Sequence, residues 1–455
     1  MSPVAVLPND PALPQLARVL DASAMASVFA EAIGRHGVAV EHCVVDRVKY
    51  RPRRNCTLSY RLHLRDTTTD QRFEQVVAAR VCSDGESAVR FAKAAYAPLQ
   101  PSLAGPSLHH LPDLDMVTWW WPNDPKLDAP SVLSHDERLR REVLPALVHA
   151  LSQGQGTLVD HEVVLAQYVP EHRLCARVDL RWREGAELVD RSVYAKASRD
   201  PDGLTVHRQL SALQASTASR EGRLHTPRAL MWQAEAGLHW QEAVPGRPLL
   251  QQPESMARWA GPLGAQLAAL HGTSMPTALP LTVGEQRERL SDVMAVLQQV
   301  LPDSRHDLQR LNGRLKTGLY GFAQEQLSTL HGDLHPNNVL VSGDRLTLID
   351  LDDLRRGPAS LELGSWRAEG MYRALLEGES PRRDDALWQA MLEGYAAAGG
   401  VVPSTSALAW ATAWNLVTQR VWRCVINLKP GRFAIAPRLI GLAAEIADLP
   451  RRELA

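Results

Sequence analysis

The sequence predicts an α+β chain, strand-rich in its first half and helical in its second, on three observations. Alternating or continuous apolar runs bounded by turn residues dominate up to about residue 245. Apolar residues at helical spacing dominate beyond it, and a hairpin with polar ends interrupts that helical part near residue 340. A chain of 455 residues also exceeds what one core supports, so two or three domains are expected.

In chain order, Leu16, Val19, Leu20, Met25, Val28, Phe29 and Ile33, followed by Gly34, predict one or two amphipathic helices over residues 11–35. Strands follow in VVDRVKYRPRRNCTLSYRLHLRD and FEQVVAARV, and MVTWWWPNDPKL reads as a buried strand stopped by Pro122. Trp119, Trp120 and Trp121 then belong to a core. Arg47, Lys49, Arg51 and Arg53 alternate along one strand face, the pattern of a solvated edge that discourages strand addition.

Much of this segment recurs about 118 residues later in weak but ordered form. Tyr50-Arg-Pro52 and a strand ending Leu62-His-Leu64-Arg are answered by Tyr168-Val-Pro170 and a strand ending Leu180-Arg-Trp182-Arg. Val77-Ala-Ala-Arg80 is answered by Val193-Tyr-Ala-Lys196, an Asp-Gly turn and a helix-like stretch follow in each copy, and WWWPNDPKL (119–127) matches HWQEAVPGRPL (239–249). The order of the matched elements predicts a duplicated unit. Between the copies, Ser134-His-Asp-Glu137 has capping-box spacing ahead of ERLRREVLPALVHAL, which predicts a linker helix. The domain expectation is an N-terminal cap at 1–133, a linker helix at 134–157, a strand-rich lobe at 158–245 and a helical lobe at 246–455.

Fifty Lys and Arg against fifty-one Asp and Glu leave a net charge of −1, which gives no reason to expect a nucleic-acid or membrane partner. Five scattered cysteines without a CxxC pair suggest neither a disulfide framework nor a structural zinc site. Neither a signal sequence nor a spanning apolar run is evident, so a cytoplasmic protein is expected.

The stretch LSTLHGDLHPNNVLVSGDRLTLIDLDD (327–353) concentrates polar residues on strand ends. NVLV and RLTLID, joined through Ser342-Gly343-Asp344, form a hairpin whose open end brings Asn338 near Asp350. A carboxamide and a carboxylate there make an oxygen-only site suited to Mg²⁺, with Asp352 a second candidate ligand if strand alternation puts it on the same face. Asp333, on the loop leading in, is free to accept a proton from a substrate hydroxyl. His331 reads as a brace for the loop and Asp353 as a solvated turn residue. A zinc pair of His331 with His335 is opposed by Pro336, which breaks the helix such a pair needs.

HGDLHPNN followed by LIDLDD resembles the catalytic loop and metal strand of the aminoglycoside phosphotransferase and choline kinase superfamily, relatives of protein kinases. The resemblance implies a bilobal protein-kinase-like fold, here preceded by an extra domain like a second N-lobe. It implies that Asp333 orients or deprotonates an acceptor hydroxyl while Asn338 and Asp350 hold Mg²⁺ on ATP phosphates. Lys196 then falls where a lysine pairs with the nucleotide phosphates, and the backbone of Gln241, Glu242, Ala243 and Val244 where a hinge faces adenine. LAALHG (267–272) and GPASLELG (357–364) also resemble family segments, although Glu362 stands where the family has Asp. The helix after Lys196 offers no glutamate to pair with it, and Pro170-Glu-His-Arg173 replaces a glycine-rich loop.

The function implied is transfer of the γ-phosphoryl group to a hydroxyl of a small molecule: a sugar, amino sugar, amino alcohol or similar. The rival is a catalytically weak, pseudokinase-like binding or regulatory protein, against which Asp333, Asn338 and Asp350 are all retained. The first copy carries Arg80 at the lysine position and no catalytic loop, so it is not expected to bind ATP productively; it is read as a cap, interaction module or homodimer contact. Residues 250–455 show no acidic excess that would advertise a polycationic acceptor.

Overall fold

A computed structural model describes residues 7–34, 37–199 and 203–452, the last four by backbone alone. Arg35 and Asp202, which belong to the expected first helix and to the second Asp-Gly turn, lie outside the described residues.

Two five-stranded antiparallel sheets are built to one plan. The first comprises β1 (Val38–Arg51), β2 (Asn55–Asp66), β3 (Arg72–Cys82), β4 (Leu108–Leu111) and β5 (Met116–Trp120). The second comprises β6 (Gly156–Val169), β7 (Arg173–Glu184), β8 (Glu187–Ser198), β9 (Ala229–Gln233) and β10 (Leu238–Glu242). The strand orders are β1-β2-β3-β5-β4 and β6-β7-β8-β10-β9. Local irregularities repeat as well. Each first hairpin turn holds one residue at positive φ, Arg53 and Glu171, and each last hairpin turns through a short 3₁₀ segment ending at Asp115 or Gly237, again left-handed. Counting from those last turns, the segments around 119 and 239 are out of step by two residues: Thr118 pairs with Ala79 as Trp240 pairs with Ala195. Tryptophan-rich strands look alike over a two-residue slip because side-chain period is two.

The alternation of β3 shows how the first sheet is used. Val77, Ala79 and Val81 face a core with Met25, Phe29 and Ile33 of the helix Ala22–Ile33, whereas Val76 and Ala78 face the second sheet. Trp119, the connecting helix Leu144–Leu151 and Tyr168, Ala176 and Trp240 complete that shared core. The N-terminal unit is thus packed on its own chain. Helix entry differs from expectation: Ser134 Oγ donates to the Pro130 carbonyl, and His135 Nδ1 accepts from the Arg138 amide at 3.3 Å in place of a Ser134–Glu137 box.

The helical lobe is built on Met256–His271, Val283–Val300, Arg305–Phe322, Ala359–Leu376, Asp385–Ala397, Thr405–Asn415 and Ala436–Arg452. Two short sheets position the polar loop: β11 (Arg247–Pro248) with β13 (Val339–Ser342) and β14 (Arg345–Leu348), and β12 (Leu327–Leu330) with β15 (Arg355–Pro358). The architecture is the bilobal kinase-like one with an added N-terminal unit resembling a second N-lobe. Leu428 joins the N-terminal core, so that unit touches both lobes. Among the described residues, no helix is long and apolar enough to cross a membrane.

Candidate active site

The hairpin is shorter than its apolar run suggests. Val339 pairs with Leu348, while Asn338 ends a 3₁₀ turn Pro336–Asn338 and its carbonyl accepts from the Ile349 amide at 2.9 Å. Asn338 is thus beside the Ile349–Asp350 link, as the open-end reading requires. Asp350 has φ 62°, a left-handed conformation that Asp tolerates better than most residues but that still costs energy. That turn ends the strand, and Leu351–Asp353 form a 3₁₀ segment. Asp352 therefore does not reach the site by strand alternation; the left-handed turn and the tight 3₁₀ segment carry it there.

Both carboxylates converge on one cation. Lys196 Nζ lies 2.7 Å from Asp350 Oδ1 and 2.9 Å from Asp352 Oδ1. Lys196 is on β8, opposite His239 of β10, so the second sheet delivers it across the cleft to the hairpin. Its charge holds the Asp350 carboxyl far below the usual range; burial, opposed by Lys196, raises Asp352. The glutamate missing from the following helix, Gly203–Gln214, is thereby replaced as the partner of Lys196 by the hairpin's own acids.

The loop before the hairpin is braced from behind. Glu362, in the first turn of Ala359–Leu376, accepts from the His331 amide at 3.0 Å and the Gly332 amide at 2.9 Å. It also meets His271 Nε2 at 2.9 Å, and His271 Nδ1 meets the Tyr395 hydroxyl at 2.9 Å. His331 is fully buried with Nε2 2.9 Å from the Ile349 carbonyl, so its ring ties the loop to the hairpin. Gly332 has φ 88°, and a Cβ there would lie 2.0 Å from the Asp353 carbonyl oxygen, so only glycine fits. This packing also corrects the reading of Asp353: it is half-buried, and burial together with Asp333 and Asp352 raises its pKa.

Asp333 lies at the tip of the braced loop. Its carbonyl accepts from Asn338 Nδ2 at 3.0 Å, which fixes the carboxamide and leaves the Asn338 oxygen for another partner. Asp333 Oδ1 accepts from Arg423 Nη2 at 2.7 Å, and His335 Nε2 is 3.8 Å from Oδ2. Burial raises the Asp333 pKa, but Arg423 and His335 outweigh it and hold the carboxyl below its ordinary value. Arg423, in the helix Trp422–Ile426, carries no motif and was invisible in the sequence.

The hinge stretch is partly committed to the sheet. Gln241 is buried in the β10 ladder, and the amides of Glu242 and Ala243 donate to the Arg228 and Ser192 carbonyls. Val244 is the first residue of the four past those contacts, beside a cavity of about 790 Å³ that it lines with Glu242, Arg228 and Thr347. That cavity includes neither Lys196 nor the acids.

The loop between β6 and β7, where a glycine-rich turn was missing, is held by the N-terminal unit. Glu171 is buried with both carboxylate oxygens on Arg80 Nη1, at 2.5 and 2.7 Å, and with Lys126 Nζ at 2.5 Å. Asp124 accepts from the Glu171 amide at 3.0 Å and the Tyr168 hydroxyl at 2.5 Å. Lys49 Nζ is 2.9 Å from His172 Nε2, which corrects the solvated-edge reading for that residue: Lys49 is half-buried, while Arg51 and Arg53 are exposed. Arg80 occupies in the first sheet the place of Lys196 in the second. Each pairs with the residue two past the left-handed turn, Val117 and His239. A carboxylate from the other copy thus fills the charge partner position of Arg80.

A profile of the phosphotransferase enzyme family matches residues 182–416, just over half of the chain. The chain belongs to that family. Similar solved structures include a choline/ethanolamine kinase family protein from Mesorhizobium loti, 16% identical, with a TM-score of 0.44 over 68% of this chain and 95% of that one. A macrolide 2′-phosphotransferase from Brachybacterium faecium is 17% identical, with a TM-score of 0.43 over 67% of this chain and 98% of that one. An aminoglycoside phosphotransferase from Streptomyces rimosus, in complex with ADP and streptomycin, is 23% identical, with a TM-score of 0.39 over 60% and 98%. No curated protein matches. As a phosphotransferase of this family, the protein acts on small molecules.

Proposed function

We propose that this phosphotransferase moves the γ-phosphoryl group of ATP to a hydroxyl of a small molecule, in the cleft between the second sheet and the polar hairpin. The observation that carries the reading is the convergence of Lys196, Asp350 and Asp352 on one point beside the Asp333–Asn338 loop. In the reaction, the acceptor oxygen bonds to the γ-phosphorus as the bond to the β–γ bridging oxygen breaks. ADP leaves with that electron pair, and the hydroxyl proton passes to Asp333.

Asp350, Asp352 and the Asn338 oxygen fit a hard divalent cation, because all three donors are oxygens and two already share a cationic partner. Among the described residues no group of three or more His, Cys, Asp or Glu could hold a metal, so neither His331 nor His335 joins such a set. A magnesium ion held by those three would neutralise phosphate charge, completing its shell with water and phosphate oxygens. With Asp350 and Asp352 so engaged, Lys196 would be the cation free to hold a phosphate oxygen. Asp333, ionised because Arg423 and His335 keep its pKa low, orients the acceptor hydroxyl more than it pulls the proton, as a loose phosphoryl-transfer transition state requires. Val244 marks the edge where adenine enters. The braces from Glu362 and His331 hold Asp333 in place at the moment of transfer.

An ATP-consumption screen over small alcohols, with wild type and Asp333→Ala side by side, tests this reading. Acceptor-dependent ADP release seen only in wild type supports it. Mg·ATP binding without turnover on any alcohol returns the pseudokinase-like alternative.

A further inference from the structure

Arginines gather around Asp333. Arg423 donates to Asp333 Oδ1, and Arg420, fully buried behind it, pairs with Glu369 Oε2 at 3.0 Å. Glu369 also lies 2.5 Å from Arg373 Nε, so this buried carboxylate is ion-paired with two guanidiniums. Arg289, from the helix Val283–Val300, feels the charges of Arg423, Asp353 and Asp333. It is open to solvent at its surface, yet walled closely enough that desolvation and Arg423 lower its pKa. Among the described residues it has no carboxylate within ion-pair distance, and its guanidinium reaches only the Thr418 carbonyl, at a long 3.4 Å.

Four guanidiniums, Arg289, Arg373, Arg420 and Arg423, therefore face three carboxylates, Asp333, Asp353 and Glu369, and burial keeps His335 toward its neutral form. A polycationic acceptor would meet repulsion from Arg289 and Arg423 and would find Asp333 and Glu369 already paired with arginines. A carboxylate or phosphate meets the geometry guanidinium groups recognise best.

Resting on the phosphotransferase reading above, we propose that the acceptor is an anionic alcohol, a small molecule carrying a carboxylate or phosphate beside the hydroxyl that is phosphorylated. The anionic group docks on Arg289 and Arg423. In doing so it draws Arg423 from Asp333 Oδ1 and frees that oxygen for the acceptor hydroxyl. Arg423 thus masks the loop aspartate until an anion arrives, so the anionic group contributes to turnover as well as to binding.

The test uses the full-length protein with matched triplets that differ only in charge: gluconate, glucose and glucosamine, and glycerate, glycerol and 3-amino-1,2-propanediol. ATP-dependent phosphorylation is followed by phosphorus NMR, and Mg·ATP binding by calorimetry. In each triplet the anionic member is expected to react with at least tenfold higher kcat/KM. Arg289→Gln should erase that preference by raising KM for the anionic member tenfold or more, with Mg·ATP affinity unchanged. Arg289→Lys, which keeps the charge, should restore part of it, an outcome a purely structural role would not produce. Mg·ATP binding with neutral or cationic members reacting as well as the anionic ones, or with no member reacting, overturns the anionic acceptor. Failure to bind Mg·ATP at all would instead overturn the phosphotransferase reading beneath it.

Discussion

Replacing Arg80 by methionine tests whether the first sheet holds the loop of the second. Arg80 and Glu171 are 9% and 5% exposed, and both carboxylate oxygens are on one guanidinium nitrogen. Breaking a buried pair by removing one partner costs about 3–5 kcal/mol, mostly because the surviving charge is left in low dielectric. Lys126 remains on Glu171 but is 42% exposed, so part of the charge is still met and we expect about 2–3 kcal/mol for Arg80→Met. Glu171→Gln should cost less, since it removes the charge that most needs a partner, and the double variant should cost less than the sum of the two singles. Burial raises the Glu171 pKa, but Lys126 and Arg80 outweigh it and leave it lowered. The pair's contribution is therefore fully present above the unfolded glutamate pKa and lost as pH falls through the folded value. The assay is equilibrium unfolding in urea at neutral and acid pH, run beside the KM for ATP. Arg173, where that loop ends, bears on Asp350 and Asp352, so under the proposed function KM for ATP should rise while kcat at saturating ATP holds. Stability within 0.5 kcal/mol of wild type and an unchanged KM would refute the coupling.

Other consequences are as direct. Lys196→Met leaves Asp350 and Asp352 without their shared cation, so thermal stability should fall without metal and recover more steeply with added Mg²⁺ than in wild type; equal Mg²⁺ responses would contradict the proposed metal set. Gly332→Ala places a Cβ 2.0 Å from the Asp353 carbonyl oxygen at φ 88°, so loss of turnover with a lowered melting temperature is expected, and a wild-type melting curve would argue against the tight loop. Burial, Arg51 and Arg173 hold Lys49 down to about 8. Between that value and the unfolded lysine pKa of about 10.4 the unfolded chain binds more protons, so stability should rise with pH across the window. Lys49→Met should flatten the pH–stability curve across that window, and an unchanged slope would contradict the lowered lysine pKa.

Most of the fold was legible because its signals are local. The apolar alternation of β1 to β3 and its echo in β6 to β8 gave two like sheets, and the HGDLHPNN and LIDLDD segments placed Asp333, Asn338 and Asp350 near one hairpin end. What stayed hidden depends on contacts far apart in sequence. Nothing local says that Arg423 crosses 90 residues to reach Asp333, or that Glu171 crosses 91 to reach Arg80. Glu362 looked like a departure from the family pattern, yet it accepts from two loop amides and meets His271, so its carboxylate braces the His331–Asp333 loop from its own position. Asp352 was placed by the wrong geometry, since strand alternation ends once Asp350 turns left-handed. The capping box failed because His135 offered a ring nitrogen one residue later.

In the proposed function Asp333 serves the acceptor whereas Asp350 serves the Mg·nucleotide. Calorimetric Mg·ATP titrations of Asp333→Ala and Asp350→Ala, run beside a phosphoryl-transfer assay, test it most directly. We expect Asp333→Ala to bind Mg·ATP nearly as wild type and transfer nothing, and Asp350→Ala to lose Mg-dependent binding. Turnover retained in Asp333→Ala, or an unchanged Mg·ATP titration in Asp350→Ala, would contradict it.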